Sequence, residues 1–244
     1  VDGSISQAQE EKEQVKSLIS NMSHQLKTPL AGLMMYWEML EEDGLDHDTR
    51  KKFLKKMKQQ SEKIDWILQS LFKMVNLEQG AVVFEAGPLP VKATILDAVT
   101  AVWDRADGRN ISIVTEPFED RILWHNRKWT AEVLVNILEN AVKYTSPGGS
   151  ITIRVHSTEM YTEIAVQDTG RGIRPEELTE IFKRFYRSRD VENLEGSGIG
   201  LYLSRLILER EKGYLTASSV PGEGSTFSIF LQNCQNLNQN LSGE

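Results

Sequence analysis

At 244 residues, with 40% hydrophobic and 26% charged residues, the chain has ordinary globular composition and enough length for one large or two modest domains. A formal net charge of −7 argues against a general nucleic-acid binder, whose phosphate contacts need clustered Lys and Arg; any anionic ligand must be held locally, by a few cations or a metal. The single Cys234 excludes an internal disulfide and a cysteine-rich metal site, which fits a reducing compartment, and no stretch approaches the roughly 18 to 20 apolar residues of a membrane span, which predicts a soluble segment.

The first element is a helix from Ile5 to about Glu42, opening on a charged run, Glu10 to Lys16, that reads as a solvated face. Val15, Ile19, Met22, Leu26, Leu33, Trp37 and Leu40 recur at threes and fours, with Leu30 close to register, as in a helix that buries one stripe. Set inside it is a polar octet, Ser23 to Leu30. His24 falls off the stripe, Thr28 lies one turn on along the same face, and Gln25 sits beside them. Pro29 has no N–H for the Gln25 carbonyl, so a bend is expected one turn past the histidine.

Asp43-Gly44 stops this helix, and Asp46 or Asp48 caps a second. There Phe53, Met57, Ile64, Ile67, Leu71 and Met74 step by threes and fours, with Gln60 completing the register. Two long helices joined by a short turn form an antiparallel hairpin. One hairpin cannot bury two such stripes, so a homodimeric four-helix bundle is expected, with Trp37, Trp66 and the methionines in its core.

Near Gln79-Gly80 the pattern changes to short strands and helices, marking a second domain over residues 81–232 after a first over 1–80. The predicted elements are a strand at Val82 to Glu85, a helix at Val91 to Ala106, a strand at Ile111 to Thr115 and a helix at Lys128 to Tyr144. A hairpin of Ile151 to His156 with Tyr161 to Gln167, a helix at Ile199 to Glu211, and a hairpin of Tyr214 to Ser219 with Thr226 to Leu231 complete an α/β sandwich with one mixed sheet. The Asn/Gln/Ser-rich tail, 233–244, has little to bury and is expected to be disordered. His47, His125 and His156 have no partners at ligand spacing and read as structural or surface residues.

Four short pieces carry chemistry. Asn136, Asn140, Lys143 and Tyr144 fall on one stripe of a helix whose adjoining face, Leu134, Ile137, Leu138 and Ala141, is apolar. An amide oxygen is a hard ligand for Mg²⁺, a lysine is a point charge for phosphate, and a tyrosine can lie along a base. Asp168, Gly170, Gly172 and Ile173 end a strand, where a carboxylate can accept a hydrogen bond from an exocyclic amine. Gly196, Gly198, Gly200 and Leu201 run into a helix whose free N-terminal amides favour an anion. Between the two glycine motifs, Phe182-Lys-Arg-Phe185-Tyr-Arg187-Ser-Arg189 places four cations beside aromatic residues.

The His24 octet resembles the phosphoacceptor box of sensor histidine kinases, and the four pieces, in this order, resemble the N, G1, F and G2 boxes of their GHKL-type ATP-binding domain. The resemblance spans about residues 10 to 231. It implies an ATP-dependent autokinase that phosphorylates His24 and passes the phosphoryl group to an aspartate of a response-regulator receiver domain. By the same resemblance Asn140 ligates Mg²⁺, Asn136 supports the phosphates, Lys143 and Arg187 contact the phosphate chain, Tyr144 flanks adenine and Asp168 reads its amino group. Thr226 belongs with the nucleotide site, and the segment from about Arg174 to Glu195 is the ATP lid.

Gln25 departs from the family pattern, which often places a Glu or Asp there as base for the histidine. Thr28 resembles the residue that positions water for dephosphorylating the partner, and Met34, Met35 and Glu38 are candidate receiver contacts. The resemblance also implies input regions outside this chain and a membrane-anchored whole protein. Two other readings differ in class: an ATPase clamp, disfavoured because the position one turn before Asn140 is Asn136 rather than a water-activating glutamate, and a nucleotide-binding scaffold that transfers no phosphate.

Overall fold

The computed structural model describes residues 2–188 and 196–234, and of residues 2–12, 14 and 15 the helical backbone alone. The chain divides into two compact units, Val1–Lys73 and Met74–Glu244.

In the first unit, helix α1 (Asp2–Leu40) runs unbroken through Pro29, and α2 (His47–Glu78) returns beside it. Asp46 caps α2: its carboxylate accepts the Thr49 amide at 2.9 Å and the Thr49 hydroxyl at 2.6 Å, which neutralises an otherwise unpaired donor of the first turn. The hairpin closes tightly. A Cβ at Gly32 would meet Gln60 Cδ at 3.4 Å, and the Tyr36 and Phe53 rings lie 5.9 Å apart. The expected α2 stripe is the one that turns inward, with Phe53, Met57, Gln60 and Ile64 half-buried and Ile67 and Leu71 buried. Ile19, Leu30, Met34, Met35, Trp37, Leu54, Trp66 and Phe72 are exposed in the single chain. Val15 lies outside the residues whose side chains are described.

The second unit begins inside α2, before the boundary expected near Gly80. Met74 and Leu77 are fully buried, and the Glu78 carboxylate accepts the Tyr202 hydroxyl at 2.6 Å and pairs with Arg184. Next comes β1 (Gly87–Pro90), antiparallel to β3 (Ile122–His125) in a separate two-stranded sheet. This corrects one expectation. Residues 82–85 form no strand and Val83 is 83% exposed; the strand lies instead just downstream and contains Pro88 and Pro90. Prolines at alternate positions remove donors from one edge only, so the other can still pair. Accordingly, the Val91 amide, in the paired register, donates to Arg121 O at 3.0 Å. The four-residue β3 is too short to display a period.

The main sheet has the order β2-β4-β5-β7-β6, from β2 (Ser112–Thr115), β4 (Ser150–Ser157), β5 (Tyr161–Asp168), β6 (Tyr214–Val220) and β7 (Gly224–Gln232). Only β2 and β4 are parallel. Along β5, Thr162, Ile164, Val166 and Asp168 are buried in strict alternation, the mark of a sheet with one covered face. Helices α3 (Val91–Asp107) and α5 (Gly200–Arg210) each pack against α4 (Arg127–Tyr144), which lies between them in this layer and buries Leu134, Ile137, Leu138 and Ala141 as expected. His125 is a satisfied core histidine, its Nε2 2.8 Å from Thr94 Oγ1 and its Nδ1 3.0 Å from Leu123 O.

The strand order brings Asn233 back to the β4–β5 turn, where it bonds Thr158 O at 2.8 Å and Thr162 Oγ1 at 2.7 Å, so order extends past the expected end at Gln232. The tail from 235 on lies outside the described residues. Among those described, no helix is long and apolar enough to cross a membrane.

Candidate nucleotide site and phosphoacceptor helix

In the first unit, His24 and Thr28 are exposed on one face of α1, and Gln25 is half-buried beside them. Thr28 Oγ1 lies 3.5 Å from the His24 carbonyl, a long contact of the kind hydroxyls make one turn back in a helix. Pro29 is buried, so its ring packs inward while the imidazole faces out. Met34 and Met35, about two turns past Thr28, are 55% and 44% exposed, and Glu38 is exposed as well.

In the second unit, the site is assembled at one end of α4, where β5 ends and α5 begins. Asn136 reaches α5, its Nδ2 lying 3.4 Å from Ser204 Oγ and 3.5 Å from the Gly200 carbonyl. Asn140 stands one turn further along the same face, half-buried. Lys143 donates to the Tyr144 hydroxyl at 2.9 Å, with its ammonium 4.6 Å from the ring centroid, and a Cβ at Gly196 would lie 2.9 Å from that ammonium. The second glycine motif is thus gathered onto α4: Gly196 at Lys143, Gly200 at Asn136, and Leu201 in the first turn of α5.

Asp168 closes β5 and is 5% exposed. Its Oδ1 accepts the Gly170 amide at 2.8 Å and the Ser225 amide at 3.3 Å. Burial pushes this carboxyl above the ordinary range, and the two amides hold it back. Thr226 is next to Ser225 on β7, paired with Gln167. The Ile173 amide donates to Ser219 Oγ at 2.8 Å. Gly172 has φ +71°, and a Cβ there would lie 2.2 Å from the Val220 carbonyl; no other residue fits that approach.

Phe182 and Phe185 lie in successive turns rather than a helix. Of the four cations in that segment, Lys183 pairs with Glu180, Arg184 with Glu78, and Arg189 lies outside the described residues. Arg187 is placed close enough to Tyr144 that its charge, with that of Arg171, opposes the burial that raises the phenol. Residues 189–195 of the expected lid lie outside the described residues.

Two matches cover most of the chain. Residues 14–80 match the His Kinase A (phospho-acceptor) domain, and residues 125–235 match the histidine kinase-, DNA gyrase B-, and HSP90-like ATPase family. The chain belongs to the sensor histidine kinases. It is 33% identical over 216 residues to the phosphate regulon sensor protein PhoR of Pseudomonas aeruginosa, covering 87% of this chain and 49% of that protein. It is 28% identical over 221 residues to the sensor protein SrrB of Staphylococcus aureus, covering 88% and 38%. This kinase chain therefore spans about half the length, or less, of these curated relatives. In fold it is similar to the Acinetobacter baumannii histidine kinase AdeS (TM-score 0.67, 19% identity, 86% of this chain and 98% of that one). It is also similar to the histidine kinase ThkA solved in complex with the response regulator protein TrrA (TM-score 0.68, 19% identity, 92% and 64%).

Several residues that shape this histidine kinase site carry no motif. Arg109, after α3, donates to the Lys143 and Thr145 carbonyls at 3.1 and 3.0 Å, neutralising the last carbonyls of α4 just where Lys143 and Tyr144 project. Glu211, after α5, accepts the Asn126 amide at 2.9 Å at the other end of α4. Arg171 lies inside the first glycine motif, among residues that draw notice for their glycines alone. For Arg171 the sequence does hold a signal, a cation within a glycine-rich ligand loop; for Arg109 and Glu211 it holds none, because their partners are 34 or more residues away.

Proposed function

We propose that this chain is the kinase core of a two-component sensor: it transfers the γ-phosphoryl group of ATP to His24 and passes it to an aspartate of a response-regulator receiver domain. The observation that carries this is the conjunction of an exposed histidine in a His-Gln-Leu-Lys-Thr-Pro helix with a second unit in which Asn136, Lys143, Tyr144, Asp168 and both glycine motifs gather at one end of α4. A neutral imidazole nitrogen is the nucleophile. The N–P bond forms as the β–γ bridging P–O bond breaks, ADP leaves, and the ring proton goes to solvent or to a nearby acceptor.

The protein's work is positional. Lys143 and Arg187 supply positive charge to the phosphate chain, Asp168 accepts the adenine amino group, Tyr144 lies along the base, and Asn136 ties α4 to the phosphate-side helix start. Asn140 fits Mg²⁺, which prefers oxygen ligands and is usually held by one or two protein oxygens together with phosphates and waters; bound there, it would neutralise charge on the phosphates. With Asn136 in place of an acidic residue one turn before Asn140, no carboxylate at that position activates water, which favours transfer over hydrolysis.

A homodimer accounts for the exposed Ile19, Leu30, Trp37, Leu54 and Phe72 of the hairpin, since a paired hairpin would cover such a surface. Met34, Met35 and Glu38 fit receiver docking. Thr28 suits a second activity, dephosphorylation of the receiver. The whole protein is read as membrane-anchored, with this portion in the cytoplasm. The test is incubation with γ-labelled Mg-ATP. An acid-labile, alkali-stable label that His24→Ala abolishes is expected, and equal labelling of that variant refutes the assignment.

A further inference from the structure

Glu177 ends the short 3₁₀ turn Pro175–Glu177 and is 7% exposed, which is unusual for a glutamate on a loop. Three side chains converge on its carboxylate: the Tyr186 hydroxyl donates at 2.9 Å, Arg174 Nε donates at 3.2 Å, and the Ser188 hydroxyl donates as well. Its backbone carbonyl takes two more donors, the Glu180 and Ile181 amides at 2.9 and 3.0 Å. Led by Arg174, these partners hold the carboxyl at about 2, and burial with the facing carboxylate pushes the Tyr186 phenol to about 12. The group is therefore a permanent acceptor at any physiological pH.

What it holds is a strained turn. Phe185 has φ +62°, a left-handed conformation that an aromatic L-residue adopts only when its surroundings impose it. On one side the turn is held by the second glycine motif: the Phe185 amide donates to the Gly198 carbonyl at 3.0 Å, and a Cβ at Gly198, itself at φ +73°, would lie 2.6 Å from the Phe185 carbonyl carbon and from Tyr186 O. On the other side it is held by Glu177, through the side chains of Tyr186 and Ser188. The residue between those two anchors is Arg187, whose charge reaches Tyr144 at the Lys143 end of α4. A backbone fixed at the residues before and after an arginine restricts where its guanidinium can go.

We propose that Glu177 is a positioning residue for nucleotide binding: by anchoring Tyr186 and Ser188 against the turn that Gly198 receives, it keeps Arg187 directed at the Lys143–Tyr144 side of the site, where the phosphate chain is held. This rests on the reading of Arg187 and Lys143 as phosphate contacts. A purely local role, stabilising the 3₁₀ turn through Arg174, would leave Arg187 unaffected.

A double-variant cycle on the full chain separates the two, with calorimetric titration of Mg-AMPPNP as the readout and thermal unfolding alongside. Glu177→Gln keeps the shape and removes the charge. A hydrogen bond to a charged group contributes enough that binding should weaken about tenfold, with Tyr186→Phe weakening it less. In an Arg187→Ala background neither substitution should weaken binding further, since each acts through Arg187. Parent-like binding by Glu177→Gln, or the same fold-loss with and without Arg187, overturns the inference. Should Glu177→Gln unfold, the Tyr186→Phe and Arg187→Ala cycle decides by the same criterion. Failure of the parent to bind Mg-AMPPNP overturns the nucleotide reading along with this one, whereas binding by the parent with additive variants overturns this one alone.

Discussion

The Thr130 hydroxyl lies 2.7 and 2.9 Å from the two carboxylate oxygens of Glu211, and both side chains are wholly buried. The contact joins the first turn of α4 to the residue that follows α5. Burial pushes this carboxyl up to about 7, against the Asn126 amide and the Thr130 hydroxyl, which favour its charged form. Because the native state holds the proton more tightly than the unfolded chain, the group's contribution to stability is fully present below about pH 4.5 and is lost as pH rises through about 7. The full effect is on the order of 3 kcal/mol. Glu211→Gln should therefore flatten the difference in unfolding free energy between pH 5.5 and pH 8 measured in urea. His125, whose pKa burial lowers, contributes the opposite slope in acid and cancels in the comparison. Parallel profiles for parent and variant would remove Glu211 from the account.

Asp168 separates stability from binding. Its carboxyl is raised by burial, so at pH 7.5 the charged form carries a desolvation cost that the Gly170 and Ser225 amides offset only in part. An asparagine keeps an oxygen for the Gly170 amide and carries no charge. Asp168→Asn is expected to melt at or above the parent's midpoint while binding Mg-AMPPNP at least about tenfold more weakly, because the acceptor proposed for the adenine amine is lost or misdirected. Loss of both together would mark the residue as structural.

Two left-handed glycines measure what close approach costs. Gly222 has φ +84° with nothing within 4 Å of where a Cβ would stand, so Gly222→Ala should cost only the backbone term, about 1 kcal/mol. At Gly172 the added Cβ also meets the Val220 carbonyl at 2.2 Å, and Gly172→Ala should cost about 3 kcal/mol or more. Urea midpoints with unchanged slopes give both values, and equal costs would mean that the β6 end yields freely.

Gln25 and Thr28 test the acceptor helix. An amide can hydrogen-bond an imidazole N–H and hold its tautomer, but it cannot take the proton as phosphate arrives. A well-placed base contributes roughly 10² to 10⁴ in rate, and in a scaffold adapted to glutamine the gain for Gln25→Glu should fall at or below the lower end. Thr28→Ala should slow receiver dephosphorylation more than autophosphorylation. Single-turnover labelling at saturating Mg-ATP reads the first, and an unchanged or slower Gln25→Glu would place the base elsewhere. Release of phosphate from a labelled receiver reads the second.

Much of this protein was legible in one dimension because its information is local. Threes-and-fours spacing marked the α2 stripe residue by residue, and periodicity located the helices and the two hairpins of the main sheet to within three residues. Asn136 to Tyr144 share a face because helix geometry places residues three and four apart together, and the glycine motifs flank their elements in sequence as in space. What stayed hidden depends on partners far along the chain. The β1–β3 pair was invisible because its prolines matter only once one edge of the strand is known to be free, and a four-residue strand has no period to read. Likewise, nothing near Glu211 announces Thr130 of α4, and nothing near Arg109 announces the last carbonyls of that helix; Tyr186 is only nine residues from Glu177, but the irregular turns between them have no period that would show the two side chains meeting. The sequence by itself determined which side chains can do the chemistry; only the tertiary structure decided which buried charges and caps hold them in place, because the cost of burying a charge is set by neighbours that folding alone brings together.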